Sequence, residues 1–181
     1  YSYLPGSPLA AGRNAAGPGA TNALLAVSRT FEPNRDLLAQ VKNAIDQATL
    51  SQYDYGNDAA GRRVWVKQSG AGFEPMAATF NLWSYNSRSE LTGAARYFGE
   101  DIEDTANPVG LQSHAFAYDN IGNRQTATRA GRVEQYTANA LNQYTQRTVP
   151  GYVPLMGAAT TQAVVTVNSL PVERQAEYWH K

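Results

Sequence analysis

The stretch YDYGNDAAGRR (53–63) decides how this chain is read. Laid over a second stretch, FAYDNIGNR (116–124), it puts Asp58 on Asp119, Gly61 on Gly122 and Arg63 on Arg124. The shared pattern is Asp-x-x-Gly-x-Arg, with tyrosines just upstream. Three degenerate copies accompany it. YNSRSEL (85–91) has Asn86 and Ser89 at the Asp and Gly positions, YTANALNQY (136–144) has Asn139 and Asn142, and FEPNRDLL (31–38) matches with a shift of one residue. Such a repeat is either one reactive site made twice or one turn made several times.

The exchanges among the copies favour the turn. Asp and Asn side chains accept hydrogen bonds from backbone N–H groups two residues on, which starts a turn. Gly, and next best Asn, tolerates positive φ. Asn for Asp and Asn or Ser for Gly keep that competence. They would end general acid–base chemistry, because an amide exchanges no proton near neutral pH. Asp58, Gly61, Arg63, Asp119, Gly122 and Arg124 are therefore expected to be structural, each copy closing a hairpin.

The flanking sequence reads as strands. LLAVSRTF (24–31), RRVWVKQS (62–69), MAATFNLWSY (76–85), ELTGAARYF (90–98), SHAFAY (113–118), NRQTATRA (123–130) and LNQYTQRTV (141–149) are candidates, and AVVTVN (163–168) with PVERQAEYW (171–179) look like a hairpin around a short Ser-Leu. PGSPLAAGRNAAGPGA (5–20) reads as a Gly/Ala/Pro-rich loop. In NRDLLAQVKNAIDQATL (34–50), Leu37, Leu38, Val41 and Ile45 fall at helical spacing, and the same residues fit an extended run. Many short strands separated by turn residues predict an all-β chain of antiparallel hairpins.

Composition narrows the function classes. Lys plus Arg balances Asp plus Glu at 15 each, and charged residues make up 17%. A neutral chain lacks the long-range field that recruits nucleic acid or anionic membrane. Cysteine is absent, which removes disulfides, thiol nucleophiles and cysteine-ligated zinc. No apolar run approaches the ~20 residues of a membrane-spanning helix. The chain opens at Tyr1 with no signal peptide and reads as a segment of something longer.

The repeated stretches resemble the YD-repeat, or RHS-repeat, family over roughly residues 1–149. In that family the hairpins join edge to edge in a sheet that spirals into a hollow shell. Its members include bacterial polymorphic toxins, shell subunits of insecticidal toxin complexes, and teneurin cell-surface proteins. The resemblance implies a non-catalytic segment of a shell that encloses or displays a C-terminal toxin or effector domain, secreted by a bacterium or held at its surface. The partners it implies are neighbouring repeats of the same polypeptide and the enclosed domain, with edge-to-edge self-association where a segment stands alone. Residues 150–181 depart from the pattern. VTVNSLPV there resembles the small β-sandwich modules inserted in bacterial surface and carbohydrate-active proteins, and reads as the start of such a module.

Sharper chemistry finds little to hold it. GEDIEDT gathers Glu100, Asp101, Glu103 and Asp104, a second-alternative glycosidase pair, but close neighbours on one loop rarely face each other across a sugar. Asp101, Glu103 and Asn107 alternate as calcium ligands do, without the turn Gly or the bidentate Glu of an EF-hand loop. An acidic hairpin tip is the simpler reading. His114 and His180 have no second ligand at metal spacing. Asn107 in NPVGL (107–111) stands where self-cleaving toxins of the family carry Asp, and it offers no carboxylate. The motif tyrosines are expected to stack across neighbouring strands. Trp65, Trp83 and Trp179 are the aromatics most open to stacking on a sugar, which sustains a cell-surface adhesion or carbohydrate-binding alternative. No catalytic residue and no cofactor is expected.

Overall fold

The computed structural model describes residues 1–16, 25–149 and 151–181. The chain divides into two compact units, Tyr1–Phe80 and Asn81–Lys181. It is all-β and antiparallel, and no α-helix occurs among the described residues. One sheet holds the first twelve strands in chain order; it is not closed, since the first pairs with the second alone and the twelfth with the eleventh alone.

In the first unit, β1 (Ser2–Tyr3), β2 (Ala10–Ala15), β3 (Leu25–Phe31), β4 (Leu38–Ile45), β5 (Ala48–Asn57) and β6 (Arg63–Ser69) each pair with the next. A 3₁₀ turn, Ala71–Phe73, lays Phe73 edge-on to Tyr53 at 5.7 Å between centroids. The segment 34–50, open to a helical reading, is a hairpin instead. Ile45 opposes Ala48 across Asp46-Gln47, and both turn residues have positive φ, 45° and 69°. That is the type I′ geometry whose twist matches the flanking strands. Once it forms, Leu38, Val41 and Ile45 are claimed by ladder pairing with Phe31, Arg29 and Leu25.

The Gly/Ala/Pro-rich stretch 5–20 also needs correction. β2 occupies Ala10–Ala15 within it, while residues 17–20 lie outside the described residues, as does Leu24 of the first strand candidate. Small side chains let the neighbours approach: a Cβ on Gly12 would lie 2.8 Å from Ser2 Oγ and 3.2 Å from the Val27 carbonyl oxygen.

β7 (Thr79–Tyr85) begins at the end of the first unit, where Thr79 and Phe80 are buried. The second unit continues with β8 (Leu91–Phe98), β9 (Pro108–Tyr118), β10 (Arg124–Arg129), β11 (Arg132–Ala138) and β12 (Tyr144–Arg147), again in chain order. β8 and β9 fall out of step: Ala95 opposes Ser113 but Tyr97 opposes Pro108. The surplus residues form a bulge containing buried Val109 and Leu111 at φ 58°.

The tail forms two small sheets of its own. β13 (Met156–Ala158), β17 (Tyr178–His180) and β16 (Glu173–Gln175) make one, and β14 (Thr166–Val167) with β15 (Leu170–Pro171) the other. The hairpin turn there is Asn168-Ser169, not Ser-Leu. Tyr178 packs on the bulged hairpin, edge-on to Phe98 at 5.6 Å and under the Arg96 guanidinium at 5.0 Å.

Full burial is scarce. Ala44, Phe80 and Val109 are the buried hydrophobic residues among those described, and most strand positions are half-buried. A sheet with that profile is held by cross-strand pairs and turns more than by a deep core.

Candidate functional site

The repeated stretches build one structure four times. The N–H of Asp58, Asn86, Asp119 and Asn139 donates to the carbonyl four residues on, at 2.9, 3.0, 2.9 and 2.9 Å. The N–H of Gly61, Ser89, Gly122 and Asn142 donates back to the first residue at 3.0, 3.0, 3.3 and 3.0 Å. Those fourth-position residues have φ of 81°, 64°, 92° and 60°. This is the three-residue hairpin loop, a type I turn followed by a left-handed residue. The opening Asp or Asn caps it: its Oδ1 accepts the backbone N–H of Arg62, Glu90, Asn123 and Gln143 at 2.9, 3.0, 2.8 and 3.1 Å.

The second terminal atom of that side chain follows a rule that residue-by-residue reading missed. Where the first residue is a carboxylate, the fifth is a donor: Arg62 Nε gives to Asp58 Oδ2 at 2.7 Å and Asn123 Nδ2 to Asp119 Oδ2 at 2.8 Å. Where it is an amide, the fifth is an acceptor: Asn86 Nδ2 gives to Glu90 Oε2, and Asn139 Nδ2 to Gln143 Oε1 at 3.0 Å. Acid and amide are interchangeable at the first position because the fifth changes with them. These bonds hold the carboxyls of Asp58, Asp119 and Glu90 below their ordinary range. The largest cause is the Arg62 backbone N–H for Asp58, and the side chains of Asn123 and Asn86 for the other two.

A longer form of the turn occurs twice. Glu32 N–H donates to Leu37 O at 2.8 Å and Leu4 N–H to Leu9 O at 3.0 Å, with Asn34 at φ 63° and Gly6 at φ 73°. Both have Pro then Asn or Gly in the centre, Glu32-Pro33-Asn34 and Leu4-Pro5-Gly6, which is type II turn chemistry. LPGSPL (4–9) aligns with EPNRDL (32–37) in the sequence, masked by the low complexity that follows it.

The motif arginines have a defined place. Three residues before each opening residue stands an aromatic, Tyr55, Trp83, Phe116 or Tyr136, and five after it stand Arg63, Leu91, Arg124 and Tyr144. The Arg63 guanidinium lies 3.8 Å from the Tyr55 ring centroid, Arg124 lies 5.0 Å from Phe116 and 5.7 Å from Tyr136, and Tyr136 meets Tyr144 at 5.5 Å. Three of the four hairpins are thus clasped just inside the turn by a cation–π or aromatic pair.

Adjacent turns are also stitched laterally. In the first unit Arg35 Nη1 donates to the Asp58 carbonyl at 2.7 Å, and Asn57 Nδ2 to Glu32 Oε1 at 2.8 Å. In the second, Arg88 Nη2 donates to the Asp119 carbonyl and Asn123 Nδ2 to Asn142 Oδ1 at 3.2 Å. Within each unit the turns therefore form a bonded row along one end of the meander.

The remaining candidates are placed as follows. Glu100, Asp101, Glu103, Asp104 and Asn107 are exposed on the β8–β9 loop, where Asp101 Oδ1 accepts the Glu103 N–H and Asp104 Oδ1 the Ala106 N–H, both at 3.0 Å. Those oxygens are spent on turns, and no group of three His, Cys, Asp or Glu among the described residues is placed to hold a metal ion. Trp65 lies across Gly56, where a Cβ would come 2.0 Å from its Nε1, and Trp179 lies across Gly157 in the same way at 2.6 Å. Trp83 lines a shallow cavity with Asn81, Arg96, Gln112 and His114. His114 is stacked on Phe116, and burial, with Arg129 beside it, lowers its pKa. His180 lies against Gly110, NPVGL being part of the β9 bulge.

No family model matches the chain, and no curated protein matches its sequence. Among solved structures, a chain in the crystal structure of TcdB2-TccC3-Cdc42 is similar at 14% identity and a TM-score of 0.29, covering 83% of this chain. The present chain spans 9% of that one.

Proposed function

We propose that the chain is a structural segment of a YD-repeat shell, without catalysis of its own, that encloses or displays a toxin or effector domain carried on the same polypeptide. The observation that carries the reading is the bonded row of turns. Four copies of one loop keep their hydrogen bonds through exchanges of Asp for Asn and Gly for Ser or Asn. What persists is geometry, not a reactive group. Polar side chains spent on capping and on stitching turn to turn serve a wall that must hold its edge. The sequence resemblance of 1–149 to YD repeats supplies the enclosing role. On this reading 150–181 is a module set on the wall, and the open outer strands β1 and β12 meet further repeats or a second copy through main-chain hydrogen bonds.

The test is electron microscopy of the complete polypeptide that carries this segment. The hairpins are expected in the wall of a hollow β-shell with density inside it. An extended or surface-exposed array with no enclosed density would overturn encapsulation and leave the adhesion reading.

A further inference from the structure

The tail closes one side of a cavity of about 390 Å³ in the second unit, and its walls are unevenly charged. Arg129, Arg132 and Lys181 line it, with Glu173 the one acidic side chain in the lining. This in a chain whose formal charge is zero.

Arg129 and Arg132 are direct cross-strand partners, flanking the Ala130-Gly131 turn between β10 and β11. Directly opposed residues share a face, and like charges there destabilise the pair. Neither guanidinium has a carboxylate partner among the described residues. Glu173 does not supply one: its side chain is 84% exposed and sits 3.8 Å from His180 Nε2. Arg132 is instead fixed flat on Tyr152, 3.5 Å from the ring centroid. Stacking uses the face of a guanidinium and leaves its N–H edge to donate. Lys181 is steadied by donating to the Pro171 carbonyl at 2.9 Å, which occupies one of its three N–H bonds. The volume is in the range of small-molecule sites.

We propose that this cavity binds an oxyanion, a carboxylate or phosphate carried on a sugar-sized ligand, between Arg129 and Arg132 with Lys181 at its rim. An anion there relieves the like-charge pair and takes the N–H donors that line the cavity.

Calorimetric titration of the 181-residue chain with inorganic phosphate, D-galacturonate and neutral D-galactose tests this. Binding of phosphate or galacturonate without galactose is expected, and which of the two binds identifies the oxyanion. Arg129→Gln with Arg132→Gln should weaken binding roughly tenfold or more, as loss of a charge-assisted hydrogen bond does; Arg129→Gln alone, which keeps the Arg132–Tyr152 stack, should weaken it without a fall in thermal midpoint. Lys181→Gln, at the rim, should weaken it severalfold, its amide N–H₂ still able to donate toward the Pro171 carbonyl. Absence of binding by either anion, equal binding of galactose, or unchanged affinity in these variants would overturn the site.

Discussion

Gly61 allows the turn reading to be measured. Its φ is 81°, and a Cβ added there would meet Leu37 Cδ1 at 3.5 Å, an ordinary contact. Substitution is therefore charged for backbone strain, not overlap. The same position in sister turns is held by Ser89 at φ 64° and Asn142 at φ 60°, so the fold itself shows which residues the site accepts. Gly61→Asn should cost less than about 1 kcal/mol, since Asn visits the left-handed region with local hydrogen bonding. Gly61→Val should cost about 1–3 kcal/mol, because a β-branched residue suffers most there. For a chain of this size that is a fall in thermal midpoint of roughly 2–12 °C. Urea denaturation followed by tryptophan fluorescence, with unchanged slope, would report the difference. Equal losses for Asn and Val, or none for Val, would mean that the left-handed residue does not govern this turn and that the four loops are not equivalent.

Acid should loosen the turns that hold a carboxylate and spare the others. Glu32, Asp58, Glu90 and Asp119 have folded pKa values below ordinary, so their contribution is complete above the unfolded carboxylate range near ~4 and is lost as pH falls through the folded values. NMR amide shifts should move in those turns between pH 5 and 2 (roughly the carboxylate range) and stay put in the Asn139 turn, which closes with amides alone; uniform movement would count against the assignment. Gly56→Ala drives a Cβ into the Trp65 indole and should cost about 1–3 kcal/mol with a shift in tryptophan emission; a neutral result would place Trp65 elsewhere in solution. Glu100→Gln with Asp101→Asn should leave a glycan-hydrolysis panel as blank as the parent; hydrolysis by the parent that this double variant loses would restore the glycosidase reading.

Much of the strand pattern was legible because β-branched and aromatic runs sit between Asn, Asp and Gly. β3, β6, β8 and β10 lie where their sequences put them, within a residue or so. Four things were harder to see. β4 carries apolar residues at a spacing both periods satisfy, and its turn, Asp46-Gln47, lacks the glycine that marks a type I′ loop. β2 is mostly small residues, Ala10, Ala11, Gly12 and Ala15, which let neighbours come close but carry no strand signal. The capping rule is a relation between the first and fifth residues of a loop, invisible while each position was compared with itself. The Arg129–Arg132 cavity needed both a register and a tail folded back, neither of which a linear pattern contains.

The order in which strands pair bears on how the chain reaches its fold. From β1 to β6, and again from β8 to β12, each strand's partners are its neighbours in sequence. Loop-closure entropy is small at every step, and no strand waits for one made much later. A hairpin can lock as soon as its second strand leaves the ribosome or a translocation pore, with its turn bonds already complete. The tail breaks that rule. β13 pairs with β17, not with the next strand to appear, so that pairing waits until Tyr178–His180 have been made. In a chain that emerges amino end first, the walls of the Arg129–Arg132 cavity are finished after the hairpins that precede them.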